Sequence, residues 1–470
     1  MILGAAIRGG DAIISPVPGP PSRMKINNVA CRIARAGDAT SLATVSRGLS
    51  DALGLETYPL RLSIVDAAPR EFSVEATTVT FEDGDRHAAR FRNVALYRPR
   101  RKAIEARPFV AVQIIPTGVR CEFGGFAGDA CPVTNLLASS VDVLVTHPNA
   151  VNASDLNEMA ENVLYVEGKS LDDFLLGHLG LLTVKANKIG TFIDPTGLGH
   201  IDYLINSLNA ARTVGGIDCA LHTVLREELG VQIEWSDAGR AIGTVLRPEA
   251  ILDAAALLIS HGAQAIGGVS VIHGVTSAMF SRHIDGELPN PSGGVEAIIT
   301  HLISAAFRVP TAHAPLPYYK DLKGMQTRNP RAAAEFISMP HYFSVLKGLA
   351  RAARLIELDD LKYVPSQVLS VNNVSAIVMP ASCLGGIPAL AAEFHDIPLI
   401  AVRDNPTILD VTNAKMRIAN VIEVTSYLEA AGVLLALRQG ISLESLNRPV
   451  RSAQKVCTPS DLVPTMGTES

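Results

Sequence analysis

The stretch Ser375-Ala-Ile-Val-Met379, followed by Ala381-Ser-Cys-Leu-Gly-Gly386, decides the fold class of this chain. The first segment is a short apolar run of the kind found in buried strands, and the second is a loop of small residues. Residues 387–395 continue with a helical pattern, and residues 398–402 form the next apolar run. A strand, a loop, a helix and a second strand in this order predict a parallel sheet with a right-handed crossover.

The same alternation of apolar runs and helical segments extends outward from this unit. We therefore predict an α/β fold with a parallel-sheet, Rossmann-like body of two α/β lobes, residues 108–280 and 281–448. Within this body, helices are predicted over residues 171–182 and 331–357. Ligands of such sheets bind beyond the carboxyl ends of the strands, so the loops at those ends are the places to search for a site.

The regions outside this body have a different pattern. Residues 24–107 alternate apolar and polar positions and predict a small strand-rich α+β domain, with one of its strands over residues 88–97. Residues 1–23 are predicted to be a disordered leader, so that Met24 is an alternative start, and residues 449–470 are predicted to be a flexible tail.

The composition fits a folded protein and excludes several classes. Hydrophobic residues make up 48% of the 470 residues and charged residues 19%, which excludes a disordered chain. The net charge of −5 and the lack of a long basic run argue against nucleic-acid binding. The chain has no uninterrupted apolar stretch of about 18 residues, so no membrane span is expected. Its six cysteines are scattered without a C-x-x-C pair, which we interpret as a cytoplasmic location.

Three loops with paired glycines, at residues 120–132, 289–294 and 381–386, each precede a predicted helix. The first N–H groups of a helix have no partner inside it, so such loops bind anions or stabilise a developing negative charge. We therefore predict a small anionic ligand at these loops. The candidate substrate-binding residues here are Thr117, Gly118, Gly124, Gly125, Asp129, Ser292, Gly293, Gly294, Ser382, Gly385 and Gly386.

Cysteine and histidine side chains next to the predicted strand ends are the candidate catalytic groups. Cys383 lies just before a helix, where N–H groups favour the thiolate, and Cys131 has a similar position before Pro132. The alternative for both cysteines is a small side chain that packs a turn. His147 and His273 each follow a predicted strand and are the expected proton-transfer partners.

Two amides and a weak metal signal complete the candidate set. Asn149 and Asn152 follow the same strand end as His147 and are predicted to bind a carboxylate or an amide of the ligand, with helix capping as the alternative. A divalent metal is an alternative cofactor, with His200, His313 and Asp194 as candidate ligands, although the chain has no H-E-x-x-H motif. No dinucleotide-binding or P-loop motif is present, so neither NAD nor ATP is expected.

Two strings of this sequence resemble a known family. Residues 116–155, which include Phe123-Gly-Gly-Phe-Ala-Gly-Asp-Ala130 and Thr146-His-Pro-Asn149, are similar to an uncharacterised bacterial family described as a domain of unknown function. Met379-Pro-Ala-Ser-Cys-Leu-Gly-Gly386 carries the same resemblance. It covers about residues 108–448 and implies one long α/β unit, but it implies no activity.

These patterns together predict an enzyme that acts on a small anionic metabolite, a carboxylate or an amide. It would use cysteine and histidine chemistry at glycine-rich helix N-termini, as a hydrolase, a lyase or an isomerase. One alternative is a metal-dependent lyase or hydrolase that uses the strand-end histidines. Another is a metabolite-binding protein without catalysis. The expected partner is a small-molecule substrate, with no nucleic acid and no membrane, and a homo-oligomer is left open.

Overall fold

The computed structural model describes residues 24–35, 42–53, 58–85, 87–91, 108–126, 128–151, 159–196, 201–316, 341–359 and 361–453. Predictions for the leader, for Asn152, for His200 and for most of the C-terminal tail fall outside these residues.

The N-terminal part folds as an antiparallel sheet of three strands, in the order β1-β3-β2. The strands are β1 (Met24–Ala34), β2 (Tyr58–Ala67) and β3 (Glu71–Phe81). Helix α1 (Leu42–Leu53) packs on the face of this sheet that carries Ile64 and Val74. The strand-rich character predicted for this region is confirmed.

One strand predicted in this region is wrong. Ala88–Arg90 form a single turn of 3-10 helix, and residues 92–97 lie outside the described chain. The turn is held by Phe91, whose backbone N–H donates to the carbonyl oxygen of Ala88. The predicted strand had no alternation strong enough to exclude such a turn.

A parallel sheet of six strands forms the main body, in the order β18-β17-β16-β4-β5-β6. The strands are β4 (Val110–Gln113), β5 (Val143–Thr146), β6 (Val163–Tyr165), β16 (Val374–Pro380), β17 (Leu399–Val402) and β18 (Val421–Val424). The sheet is covered on both faces, which explains why β4 and β17 are buried at every position. The predicted α/β fold with a Rossmann-like parallel sheet is confirmed.

Helices cover both faces of this sheet. They are α2 (Cys131–Ala138), α3 (Gly168–Leu175), α9 (Ile387–His395), α10 (Asn413–Met416), α11 (Tyr427–Arg438) and α12 (Leu443–Leu446). Leu137 of α2 and Leu434 of α11 pack in the core on one face, and Phe174 of α3 and Leu390 of α9 pack on the other. The sheet is therefore the middle layer of a three-layer body.

The centre of the sheet is the point where the strand order reverses. From β4 the chain moves outward through β5 to β6, and from β16 it moves outward through β17 to β18 on the opposite side. The carboxyl ends of β4 and β16 therefore lie side by side at a topological switch point, where open α/β sheets bind their ligands.

The residues between β6 and β16 form additional sheets. A parallel sheet of order β13-β12-β8-β9 contains β8 (Ile189–Ile193), β9 (Leu221–Val224), β12 (Ala265–Ser270) and β13 (Thr311–Pro315). An antiparallel sheet of order β14-β7-β15 contains β7 (Leu179–Leu182), β14 (Arg354–Glu357) and β15 (Val368–Leu369), and β10 (Val231–Trp235) pairs with β11 (Ala241–Val245) as a hairpin. The helices are α4 (Ile201–Gly215), α5 (Pro248–Ser260), α6 (Ser277–Ile284), α7 (Gly293–Phe307) and α8 (His341–Arg351).

This arrangement differs from the predicted division at residue 280. The six-stranded sheet takes strands from both sides of that residue, and the four-stranded sheet is inserted between its two halves. Two predicted helices are also shorter than expected: α3 ends at Leu175, before Gly177 with its φ of +83°, and the following apolar residues form β7. Likewise α8 ends at Arg351, and β14 follows. Apolar runs of this length do not distinguish strand from helix by periodicity alone.

Candidate functional site

The three glycine loops meet at the carboxyl edge of the six-stranded sheet. The first loop follows β4 and the third follows β16, so both begin at the switch point. The second loop opens α7, and the position of a Cβ on Gly293 would be only 3.0 Å from Cγ2 of Thr117, which lies between β4 and the first loop. The second loop is therefore in contact with the segment that leads from β4 into the first loop.

Polar side chains hold the first and third loops in place. Asn405 Oδ1 accepts a hydrogen bond of 2.8 Å from the N–H of Phe123, and Asp129 Oδ1 accepts one of 2.6 Å from the N–H of Gly124. Asn149 Nδ2 donates to the carbonyl oxygen of Ile115 at 2.8 Å. In the third loop, Ser382 Oγ lies 2.9 Å from Oγ1 of Thr407. Asn149, Asp129 and Ser382, all predicted to bind substrate, thus have partners within the protein.

Two of the predicted ligand-binding glycines make room for other parts of the chain. A Cβ on Gly385 would lie 1.9 Å from the carbonyl oxygen of Ile64, and one on Gly294 would lie 2.2 Å from that of Ala241. Gly118 and Gly124 have φ values of +74° and +81°, in the left-handed region that favours glycine. Close backbone packing and turn geometry therefore account for these four glycines.

The predicted catalytic cysteines are buried. Cys383 Sγ donates to the carbonyl oxygen of Pro380 at 3.4 Å, and burial raises the pKa of this thiol instead of lowering it. Cys131, at the first position of α2, accepts a contact of 3.6 Å from Asn135 Nδ2. The geometry of Cys383 favours the neutral thiol, because the loss of solvation outweighs the effect of the adjacent helix N-terminus.

The predicted histidines are in different environments. His147 is buried at the end of β5, and its Nε2 accepts the N–H of Ile115 at 2.9 Å, which leaves the proton on Nδ1. Burial lowers the pKa of His147 to about 4. The side chain of His273 is exposed, and its backbone N–H donates to the carbonyl oxygen of Val231 in the β10–β11 hairpin.

The depressed pKa of His147 predicts a loss of stability in mild acid. Because the unfolded imidazole, with a pKa near 6.5, binds protons more tightly than the folded one, stability is full above pH 6.5 and falls as the pH drops toward 4. The loss is about 2.5 kcal/mol between pH 7 and pH 4.5. In urea unfolding, His147→Gln should be less sensitive to this pH change, whereas the exposed His222→Gln should behave as the wild type. An unchanged pH slope in His147→Gln would contradict this assignment.

A buried carboxylate and an imidazole that the sequence did not indicate lie at the same edge. Glu167 follows β6 and is 1% exposed, and its Oε1 contacts Nδ1 of His301 on α7. Burial would raise the pKa of Glu167, but the charge and hydrogen bond of His301 together with the N–H of Ser170 outweigh it and lower the pKa to about 2. Thr300 Oγ1 also donates to Oε1, at 3.1 Å. Glu167 is thus an anion at every ordinary pH.

The second nitrogen of His301 is available for chemistry. Among the described residues no hydrogen-bond partner is found for Nε2, and the side chain keeps 11% of its exposure. Gly168 leaves space for the ring, because a Cβ there would lie 2.9 Å from Cε1. A carboxylate that holds one imidazole nitrogen while the other stays accessible is the arrangement used for proton transfer by histidine.

Asp172 on α3 is a second titratable group close to this pair. Burial raises its pKa to about 8; the charges of Asp173 and Glu167 act in the same direction, while Lys169 and Arg61 oppose them. Asp172 is therefore mostly protonated at pH 7, while Glu167 is ionised. Carboxyl groups whose pKa values are driven apart by their surroundings are typical of acid–base sites.

Two of the residues predicted as metal ligands, Asp194 and His313, make hydrogen bonds within the protein. Asp194 Oδ1 accepts from the N–H of Thr196 at 2.9 Å, and Oδ2 accepts from that of Leu229 at 3.0 Å. His313 Nε2 lies 2.8 Å from Ser270 Oγ, and Nδ1 lies 3.4 Å from Glu296 Oε2. Within the described ranges no three side chains of His, Cys, Asp or Glu are grouped as metal ligands.

Signals for Glu167 and His301 were present in the sequence but were not specific. Glu167 directly follows the apolar residues 163–166, and His301 is the only imidazole in the apolar helix Gly293–Phe307. Only the fold brings the two together, since they are 134 residues apart. Arg61, on the N-terminal sheet, gave no signal of its own.

Comparisons with known proteins place the chain among uncharacterised relatives. A family model described as "Protein of unknown function (DUF3326)" matches residues 110–447. An uncharacterised lipoprotein of a Synechococcus strain is 32% identical over 343 residues, which cover 73% of this chain and 94% of that protein. No solved structure matches.

The prediction of a cytoplasmic location is contradicted by this relative, which is named a lipoprotein. None of the five cysteines in the described ranges forms a disulfide bond, so this part of the fold does not depend on such bonds. Free cysteines do not fix the compartment, and the inference from them was too strong. Within the described chain, no helix has the length and apolar character needed to cross a membrane.

Proposed function

Because this chain belongs to the DUF3326 family, which carries no assigned activity, we propose from its site that it is an enzyme of acid–base chemistry on a small anionic metabolite. The reaction is an isomerisation or an elimination that begins with removal of a proton from carbon. The observation that carries this proposal is the contact between the buried Glu167 and Nδ1 of His301, with Nε2 of His301 left accessible.

Each group in the site has a role in this proposal. His301 in its neutral form, with its proton on Nδ1, takes the substrate proton on Nε2 as the C–H bond breaks, and the electron pair passes into the adjacent carbonyl or carboxylate of the substrate. Glu167 fixes the tautomer of the imidazole and stabilises the imidazolium that forms. Asp172, protonated at neutral pH, returns a proton to the substrate at a different position or to a leaving group.

This proposal moves the proton transfer away from the residues that the sequence favoured. Cys383 is buried with a raised pKa, and His147 uses Nε2 to accept a backbone N–H. Thiolate chemistry, and with it the hydrolase alternative, therefore has less support than proton transfer by His301. The support for a small anionic substrate is that the first and third glycine loops begin at the switch point, and that the second loop contacts Thr117 beside it.

Deuterium exchange tests the proposal without knowledge of the full reaction. The purified protein is incubated in D2O with a panel of small carboxylates and phosphorylated acids, and exchange at carbon is followed by NMR. We expect exchange in at least one compound, and a decrease on the order of 100-fold in His301→Asn, because acid–base groups contribute at least this much. His222→Asn, an exposed histidine on the four-stranded sheet, should exchange like the wild type.

A second variant separates loss of chemistry from loss of fold. The double replacement Glu167→Gln, His301→Gln removes both titratable groups at once and avoids a buried carboxylate without its partner. It should stay folded by circular dichroism and show no exchange. Exchange that persists in the folded double variant would refute the role of this pair. Binding of a panel compound without any exchange by the wild type would instead support a non-catalytic binding protein.

A further inference from the structure

Arg61 is a cation without an anionic partner in the part of the chain that the structure describes. Its Nη2 donates to the carbonyl oxygen of Thr117 at 2.5 Å, and no described carboxylate lies within the 4.0 Å of an ion pair. Burial lowers the pKa of Arg61 well below its usual value, and the neighbouring charge of Arg240 lowers it further. Arg61 is half-buried, and a guanidinium that contacts only a neutral carbonyl keeps donors and charge for an anionic ligand.

The carboxyl groups nearest to Arg61 do not supply the missing charge. Glu75 pairs with Arg240, whose Nη1 lies 3.0 Å from Oε2, and its other oxygen accepts the N–H of Ala238 at 3.3 Å. Asp172 is mostly protonated at pH 7. Glu75 is thus paired with Arg240, and Arg61 has no carboxylate within ion-pair distance among the described residues.

Arg61 lies at the proton-transfer site. The charges of Arg61 and Glu167 both act on Asp172, so the cation and the Glu167–His301 pair share one electrostatic neighbourhood. Thr117, which accepts from Arg61, also contacts Gly293 at the start of α7. His301 is eight residues further along this helix, or about 12 Å at 1.5 Å per residue. Arg61 therefore approaches the start of the helix that carries His301.

The cation is supplied by the N-terminal sheet, which lies outside the residues that the family model matches. Strand β2 is fixed on the edge of the six-stranded sheet, because the N–H of Ile64 donates to the carbonyl oxygen of Gly385 at 2.7 Å. On the other side, Asn28 Nδ2 donates to the carbonyl oxygen of Gly243 in β11 at 3.0 Å. The sheet therefore holds Arg61 over a site that is otherwise built from family residues.

We propose that Arg61 binds a carboxylate or phosphate group of the substrate, and that the N-terminal sheet thereby selects the class of compound on which the family core acts. This assignment rests on the proposed function of the same site. A guanidinium has five N–H donors, and only one hydrogen bond, to Thr117, is made within the described residues, so donors remain for an oxyanion.

Anion binding by the full-length protein tests this proposal. Malonate and inorganic phosphate are titrated separately by calorimetry, so that a carboxylate and a phosphate are distinguished. We expect at least one of them to bind the wild type, and Arg61→Gln to weaken its binding on the order of 10-fold or more, as expected for a charge-assisted pair. Arg61→Lys should retain the binding of phosphate better than the binding of malonate, because lysine cannot make two parallel hydrogen bonds to a carboxylate. Arg32→Gln, which removes an exposed arginine of the same sheet, should bind like the wild type.

The outcomes decide the proposal independently of catalysis. If neither anion binds the wild type, or if folded Arg61→Gln binds as tightly as the wild type, Arg61 is not the anchor. If Arg61→Gln does not fold, Arg61→Lys still provides a test. If it binds malonate and phosphate as tightly as the wild type does, Arg61 does not hold the anion by two parallel hydrogen bonds, and the proposed contact is rejected. Binding that depends on Arg61 in a protein that exchanges no deuterium would refute the proposed enzyme and leave the anchor in place.

Discussion

Glu167→Gln is expected to lower the free energy of unfolding by about 3–5 kcal/mol at pH 7, the usual cost of removing one partner of a buried ion pair. The carboxylate accepts from the backbone N–H groups of Lys169 and Ser170, at 3.0 and 3.2 Å, and from Thr300 and His301. A glutamine amide presents one oxygen and one N–H donor group to this set of donors. Some donors therefore lose their acceptor in a place that water does not reach.

The destabilisation caused by Glu167→Gln should be smaller at acidic pH. The pKa of Glu167 is lowered from the ordinary glutamate value of 4.5 to about 2 in the folded protein, so the stabilisation it provides is present above pH 4.5 and is lost as the pH falls through 2. At pH 3 about 2 kcal/mol of it is already lost. The difference in unfolding free energy between wild type and variant, measured in urea, should therefore be smaller at pH 3 than at pH 6.

Glu429→Gln is the matched control. Glu429 also accepts a backbone N–H at a helix start, that of Thr425 at 2.6 Å, but it is exposed on α11. Its replacement should cost no more than about 1 kcal/mol. Equal costs for the two variants, or a cost for Glu167→Gln that does not change with pH, would show that Glu167 is only a helix cap.

Gly385→Ala is expected to destabilise the protein by about 3 kcal/mol, at the upper end for overpacking. The new Cβ would lie 1.9 Å from the carbonyl oxygen of Ile64 and 2.7 Å from its carbon, and both are backbone atoms. No side-chain rotation can relieve this contact, so β2 and the third glycine loop must separate. The hydrogen bond from Ile64 N–H to the Gly385 carbonyl, 2.7 Å long, would be lost with it.

The neighbouring glycine provides a control for backbone effects. A Cβ on Gly386 would lie 3.4 Å from Cδ of Pro388, an ordinary contact, and its φ of −88° suits any residue. Gly386→Ala should therefore cost less than about 1 kcal/mol in the same urea unfolding measurement. Because the N-terminal sheet holds Arg61, Gly385→Ala should also weaken malonate or phosphate binding, and Gly386→Ala should not. Normal stability of Gly385→Ala would mean that β2 is not docked as described.

The fold of the main body could be predicted because its signals are local. The strand at residues 374–380, the loop with Gly385 and Gly386, and the helix Ile387–His395 are specified by neighbouring residues, and their order implies parallel pairing. What could not be predicted is that the second sheet is inserted within the first. No local signal distinguishes a strand of one parallel sheet from a strand of another.

The candidate site was only partly accessible from the sequence. The convergence of the glycine loops follows from the switch point, and Thr117 and Asn149 do lie there. The glycine pairs were interpreted as space for a ligand, but Gly385 and Gly294 are filled by backbone from distant parts of the chain. Glu167 and His301 were missed for the same reason, because their pairing exists only after α7 packs beside α3.

The separation of β4 from β16 in the chain has a consequence for how the protein forms. These two strands are hydrogen-bonded neighbours at the centre of the main sheet, yet roughly 260 residues lie between them. During synthesis β4, β5 and β6 emerge long before β16, so the edge of β4 that will pair with β16 stays open in the meantime. The inserted sheet has all its strands between residues 189 and 315 and can form during this interval. It would shorten the effective loop that must close before the main sheet is completed.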